Sequence, residues 1–251
     1  MRRWLPLLAV LAVGCDDRPA PSPTPKTTSK APTSLAPSWQ EAAGLRVLVR
    51  YTGGAKPTDA VLLIVALHGL GDRPESFAGL FSGYSQPARL ALISAPKPFA
   101  DGFSWFDYRD DASADELSAG IRAAAVGVAR ATEVLSKRAP TSKVVVTGFS
   151  QGGMLSFALA ALRPELYSAA YPLGGTLPRP LWPLRGDAAR KLPIVIALHG
   201  EDDPRVPIGP ARLGVQALRD AGYHAELRGF AGVGHGVSPL MRRELWALLG
   251  S

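Results

Sequence analysis

The chain has 251 residues, 47% hydrophobic and 20% charged, with 28 Lys and Arg against 21 Asp and Glu for a net charge of +7. This balance excludes collagen-like, coiled-coil and mostly disordered chains. The single cysteine excludes an intrachain disulfide framework and a cysteine-based zinc site. Leaving out Arg2 and Arg3, the remaining basic residues are scattered without a Lys/Arg run. A mildly basic surface is therefore expected, with no nucleic-acid arm.

Residues 1–14 open with Arg2 and Arg3 and continue as an apolar run from Trp4 to Val13. A membrane-spanning helix needs about 20 apolar residues, so this shorter run is expected to be a signal peptide. The small residues Ala12 and Gly14 lead directly into Cys15. The stretch resembles a bacterial lipoprotein signal, although Ala12 stands where such signals usually carry leucine. That resemblance implies lipidation of Cys15 and anchoring in the bacterial cell envelope, at the inner or outer membrane. The alternative is an ordinary export signal with Cys15 incidental. Residues 15–38 follow, with six prolines and eight serines or threonines between Asp16 and Ser38. Nearly devoid of aliphatic side chains, they cannot bury a core and are expected to form a tether.

The folded part is expected over 39–251. Short apolar runs at Leu45–Tyr51, Ala60–Leu67, Leu90–Ser94, Val144–Phe149, Ala169–Leu173 and Ile194–Leu198 read as strands. Continuous rather than alternating hydrophobicity marks strands buried on both faces of a parallel sheet. Between them, Ser113 and Glu116 form a capping box for a helix whose apolar face carries Leu117, Ile121, Ala124, Val128 and Leu135. Gly152–Leu162 is apolar and small throughout, as a buried helix would be. Ser238-Pro239 opens a last helix, and Gly250 is placed to end it. Strands alternating with helices make an α/β domain with a mostly parallel sheet and helices on both faces.

The chemistry gathers at strand ends. Gly148-Phe149-Ser150-Gln151-Gly152 joins a strand to the buried helix. A turn this sharp strains the serine backbone and leaves no room for side chains two residues away on either side. It also raises the serine oxygen at a helix N-terminus, where N–H groups favour developing negative charge. Serine needs a base. Of four histidines, His68 and His199 end strands and have little freedom to reach, and His224 lies in a polar surface run. His235, between Gly234 and Gly236 just before the last helix, is the expected base. Glu201, Asp202 and Asp203 compete as its carboxylate partner. Asp203 is selected because Pro204 stiffens the turn behind it. The order Ser150, Asp203, His235 is the α/β-hydrolase order. The oxyanion donors are expected to be the amides of Gln151 and of Leu70, the latter in the glycine turn His68–Asp72.

LHGLGD (67–72), SWFD (104–107), GFSQGG (148–153), HGEDDPRVP (199–207) and GHG (234–236) resemble the phospholipase/carboxylesterase family of α/β-hydrolases, which includes acyl-protein thioesterases. The resemblance spans about residues 45–249. It implies Ser150, Asp203 and His235 as a triad, Leu70 and Gln151 as the oxyanion hole, and cleavage of carboxylic esters or thioesters of medium-to-long acyl chains, whether on small molecules or lipids. Such an acyl-enzyme route needs no metal and no organic cofactor. The Pro-rich stretch 174–191 departs from the family and is expected to cover the site differently. Phe99, Phe103, Trp105, Phe106 and Tyr108 gather in one segment, and Trp105 is the candidate to line an acyl groove. Asp107 is expected to pair with backbone N–H groups. Two other readings stand beside this one. One is a prolyl-oligopeptidase-like peptidase, and the other is a non-catalytic ligand-binding lipoprotein with a hydrolase fold. A metal-dependent hydrolase built on His68 and His199 fits no ligand spacing.

Overall fold

A computed structural model describes residues 36–109, 111–184 and 191–251. The signal segment, Cys15 and all but the end of the tether lie outside the described residues. Among the described residues, no helix is long and apolar enough to cross a membrane.

The described residues form ten strands and five α-helices. The strands are β1 (Ser38–Ala42), β2 (Leu45–Thr52), β3 (Val61–Leu67), β4 (Ala88–Ile93), β5 (Lys97–Phe99), β6 (Gly102–Ser104), β7 (Thr141–Phe149), β8 (Ala169–Leu173), β9 (Ile194–Gly200) and β10 (Ala225–Phe230). The helices are α1 (Pro74–Phe77), α2 (Ala114–Arg138), α3 (Gln151–Leu162), α4 (Ile208–Asp220) and α5 (Pro239–Leu249). Eight strands form one sheet in the order β1-β2-β4-β3-β7-β8-β9-β10, and β5 and β6 form a separate hairpin. Only the β1–β2 and β2–β4 pairings of the large sheet are antiparallel; β4, β3, β7, β8, β9 and β10 run parallel.

The continuous apolar runs have the cause anticipated from the sequence. In β3, Leu63, Val65 and Leu67 face one layer, and Ile64 and Ala66 face the other. The first layer packs against α2 through Ile121, Val128 and Leu135, against α3 through Leu155 and Phe157, and against α4 through Val215 and Leu218. The second packs against α1 through Phe77 and against α5 through Met241, Leu245 and Leu249. Period-two alternation with both faces covered leaves no position for a polar side chain. The helix starts also match. Ser113 caps α2 in a complete capping box with Glu116. The Ser238 hydroxyl accepts from the Met241 amide ahead of α5, with Pro239 in the first turn.

Four strands escape the sequence pattern: the short hairpin strands β5 and β6, and two strands of the large sheet. β1 and β10 are the edges of the sheet, and their residues are largely exposed or half-buried. A polar edge is what keeps a sheet from pairing with another chain.

The topology places the site. From β3 the chain moves to β4 on one side, then returns past β3 to β7 and continues outward through β8, β9 and β10. The loops after β3 and β7 therefore separate at this reversal and leave a crevice at the C-terminal ends of the strands.

Candidate active site

Ser150 sits between β7 and α3 with φ 55° and ψ −115°. A non-glycine residue there is strained by about 1–3 kcal/mol. Its amide is held by the Leu173 carbonyl at 2.9 Å. The flanking glycines are obligatory. A Cβ on Gly148 would lie 2.5 Å from the Gly152 carbonyl oxygen, and one on Gly152 would lie 2.0 Å from that of Leu67.

Three side chains from three loops meet at this turn. The Ser150 Oγ lies 3.0 Å from His235 Nε2, and His235 Nδ1 lies 2.7 Å from Asp203 Oδ2. An ionised carboxylate only accepts, so Nδ1 carries the proton and donates to Asp203, while Nε2 accepts from the Ser150 hydroxyl. The His235 ring rests against Phe149, with centroids 4.8 Å apart. Asp203 is buried. Burial pushes its pKa up, but the Val206 amide, the His235 ring and the Arg205 amide outweigh that and hold it below the ordinary value. Both amides donate to Oδ1 at 2.9 Å, leaving Oδ2 for the histidine. Glu201 and Asp202, its rivals in the sequence, face solvent.

Of the remaining histidines, His68 and His199 are structural. His224 is exposed. His199 is fully buried, and its Nε2–H donates to the Val206 carbonyl at 2.7 Å, bracing the loop that holds Asp203. His68 is also fully buried. Its Nδ1–H donates to the Gly69 carbonyl at 2.8 Å, and its Nε2 accepts the Ala95 amide at 3.1 Å. Burial pushes the pKa of both rings down, so both are neutral at pH 7. In a trans peptide the C=O and the following N–H point in opposite directions. The Gly69 carbonyl is held inward by His68 and, at 3.3 Å, by the Asp72 amide, so the Leu70 N–H points outward. Leu70 and Gln151 both line the cavity above Ser150. Among the described residues neither amide has an acceptor.

That cavity has a volume of about 610 Å³. Phe99, Tyr108, Phe149, Met154, Val206 and Arg205 are among the residues that line it. Trp105 does not line it, which corrects the sequence expectation. The indole is buried, its Nε1–H donates to the His68 carbonyl at 2.8 Å, and its ring packs beside the His68 ring at 5.3 Å. Trp105 therefore supports the oxyanion loop from behind. The Gln151 side chain joins this support. Its Oε1 accepts from the Trp105 amide at 3.0 Å and its Nε2 donates to the Phe106 carbonyl at 3.1 Å. Asp107 pairs with Lys97 at 2.8 Å on the surface, not with backbone amides. The described part of the Pro-rich stretch does not cover the site either. Leu177 and Leu181 pack into the layer of α2, α3 and α4.

A sequence model of the phospholipase/carboxylesterase family matches residues 53–245. A probable carboxylesterase of Oryza sativa subsp. japonica is 28% identical over 205 residues, which cover 74% of this chain and 74% of the relative. Acyl-protein thioesterase 1 of Gibberella zeae is 26% identical over 215 residues, covering 74% of this chain and 88% of that protein. The crystal structure of esterase PE8 superposes with a TM-score of 0.70 at 23% identity, over 82% of this chain and 98% of the other, a likeness of fold. The chain belongs to the phospholipase/carboxylesterase family and is an ester hydrolase with the α/β-hydrolase fold.

Proposed function

We propose that this member of the phospholipase/carboxylesterase family cleaves carboxylic esters or thioesters through an acyl-enzyme on Ser150, with His235 as base, Asp203 as its orienting acid, and the Leu70 and Gln151 amides as oxyanion donors. The observation that carries this reading is the unbroken chain from Ser150 Oγ through His235 to Asp203 Oδ2 at 3.0 and 2.7 Å.

His235 Nε2 takes the Ser150 proton as Oγ attacks the acyl carbonyl. The carbonyl oxygen becomes an oxyanion between two outward N–H groups that need no reorganisation to receive it. When the tetrahedral centre collapses, the bond to the leaving alcohol or thiol breaks and His235 returns the proton to it. Water then repeats the sequence, giving His235 a proton, releasing the acid and restoring Ser150. Throughout, the buried Asp203 carboxylate stabilises the imidazolium without taking its proton. The apolar walls favour an acyl chain over a peptide.

The same reading includes export, lipidation at Cys15 and attachment to an envelope membrane through the 15–38 tether. It is supported by the charged, apolar and small-residue order of the first fifteen residues.

A fluorophosphonate probe should label the wild-type protein and not Ser150→Ala, and p-nitrophenyl esters should be hydrolysed only by the former. Wild type that neither labels nor turns over any ester refutes the catalytic reading. Cys15→Ser should move the full chain from the membrane fraction to the soluble fraction. Unchanged fractionation refutes the anchor.

A further inference from the structure

The cavity has two unlike ends, and strand order says which residues form each. Ser150 follows β7, with β3 on one side of that strand and β8 then β9 on the other. The β3 loop brings Asp72, and the adjoining segment brings Phe99 and Tyr108. Phe99 lies directly over Gly71, with its Cδ1 at 3.6 Å from where a Cβ would stand. The β9 loop brings Arg205 and Val206. Three strand spacings separate β3 from β9, about 14 Å along the sheet edge. A substrate with its scissile carbon at Ser150 therefore extends one arm toward aromatic rings and a carboxylate, and the other toward a guanidinium.

Among the described residues, Arg205 is the only lysine or arginine lining the cavity. Arg109, Arg163 and Arg228 are paired with carboxylates; the Arg205 side chain, like those of Arg130 and Arg212, has no carboxylate or hydrogen-bond partner among the described residues, and it alone of these borders the cavity. Its own amide is fixed to Asp203 Oδ1 at 2.9 Å, which ties the root of the side chain to the triad. Glu201 and Asp202 share the loop, yet neither lines the cavity. Asp72 at the opposite end repels the charge that Arg205 attracts, so the two together orient an anionic substrate.

We infer that the preferred substrates are esters carrying a carboxylate on the arm that faces the β9 loop, and that Arg205 selects them. A planar guanidinium matches a carboxylate with two parallel N–H donors. This inference rests on Ser150 being the nucleophile.

The test uses two matched pairs of esters. In the acyl pair, the mono-p-nitrophenyl ester of glutarate is compared with p-nitrophenyl pentanoate. In the leaving-group pair, the butyrate ester of 4-hydroxybenzoate is compared with that of its methyl ester. In one pair, Arg205→Ala should lower the anionic-to-neutral ratio of kcat/KM about tenfold, and Arg205→Glu should lower it further. Arg205→Lys should keep part of the preference, and added salt should weaken it in the wild type. Ratios unmoved by all three variants in both pairs, with neutral esters still hydrolysed, overturn the role of Arg205 alone. No hydrolysis of any ester by the wild type, with no probe on Ser150, overturns the catalytic reading and this inference with it.

Discussion

His68 offers the sharpest test of how the oxyanion loop is held. The ring never touches substrate, yet it fixes the Gly69 carbonyl at 2.8 Å and with it the outward direction of the Leu70 amide. In His68→Phe the ring volume stays and both hydrogen bonds go. The Ala95 amide, in a residue 2% exposed, is then buried without a partner, which costs about 1–3 kcal/mol of stability. The Gly69 carbonyl keeps only the longer 3.3 Å bond from Asp72, so the peptide is free to rotate. Losing one oxyanion donor outright costs roughly 10²–10³ in kcat, which sets the upper bound for the effect. We expect kcat to fall at least about tenfold toward that bound, with KM little changed, because the donor acts on the tetrahedral state. His68→Asn separates positioning from mere support. Its amide nitrogen overlays Nδ1 and still donates to Gly69, while the Ala95 amide is left unpaired as in His68→Phe. Both variants should lose similar stability in thermal melts, but His68→Asn should keep most of kcat and most of the affinity for an alkylboronate. Equal losses of kcat in the two variants, or full kcat in His68→Phe, would refute the reasoning.

Other consequences follow from the same geometry. Ser150→Gly should abolish ester turnover and raise the melting temperature, because glycine relieves the strain of φ 55°, worth about 1–3 kcal/mol; a lower melting temperature would contradict this. Asp203→Asn should reduce kcat by up to about 10⁴, because the amide can favour the wrong His235 tautomer, whereas Asp202→Asn should stay near wild type. The Asp203 pKa is depressed on folding, so its stabilisation is present above the unfolded value of 3.8 and is lost as pH falls through the lower folded value. Chemical denaturation of Asp203→Asn and wild type should therefore converge at the acid end. His68 and His199 also have depressed pKa values, and here the unfolded chain binds the extra proton as pH falls below 6.5. Stability should decline from pH 7 toward 5, and less steeply in His68→Phe.

How much of this was legible beforehand depends on what kind of force fixes each residue. Ser150 was legible because the clash that excludes side chains at Gly148 and Gly152 is local and writes itself into the sequence. His235 and Asp203 were legible because strand ends in a parallel sheet share one edge, so their loops had one place to meet. Trp105 was misassigned because a cluster of aromatics in sequence does not say which rings turn inward. Phe99 and Tyr108 face the cavity, while the indole points to the His68 carbonyl, a partner 37 residues away. The role of His68 was hidden for a related reason. Its second bond goes to Ala95, just beyond the end of β4, and only the pairing of β3 with β4 brings the two together. The polar strand β10 lacked a hydrophobic signature because it is an edge.

Gln151 serves two masters at once. Its main chain is offered to the reaction, while its carboxamide stitches the helix to residues 105 and 106. Anyone wishing to transplant a different wall into this catalyst, by exchanging the segment from Phe99 to Tyr108, inherits that stitch. A graft must present an amide and a carbonyl to the same glutamine, or the pocket and the reaction centre will drift apart together. Breadth of substrate is therefore more readily altered from the far bank, at the loop bearing Arg205, whose side chain is tied to nothing among the described residues.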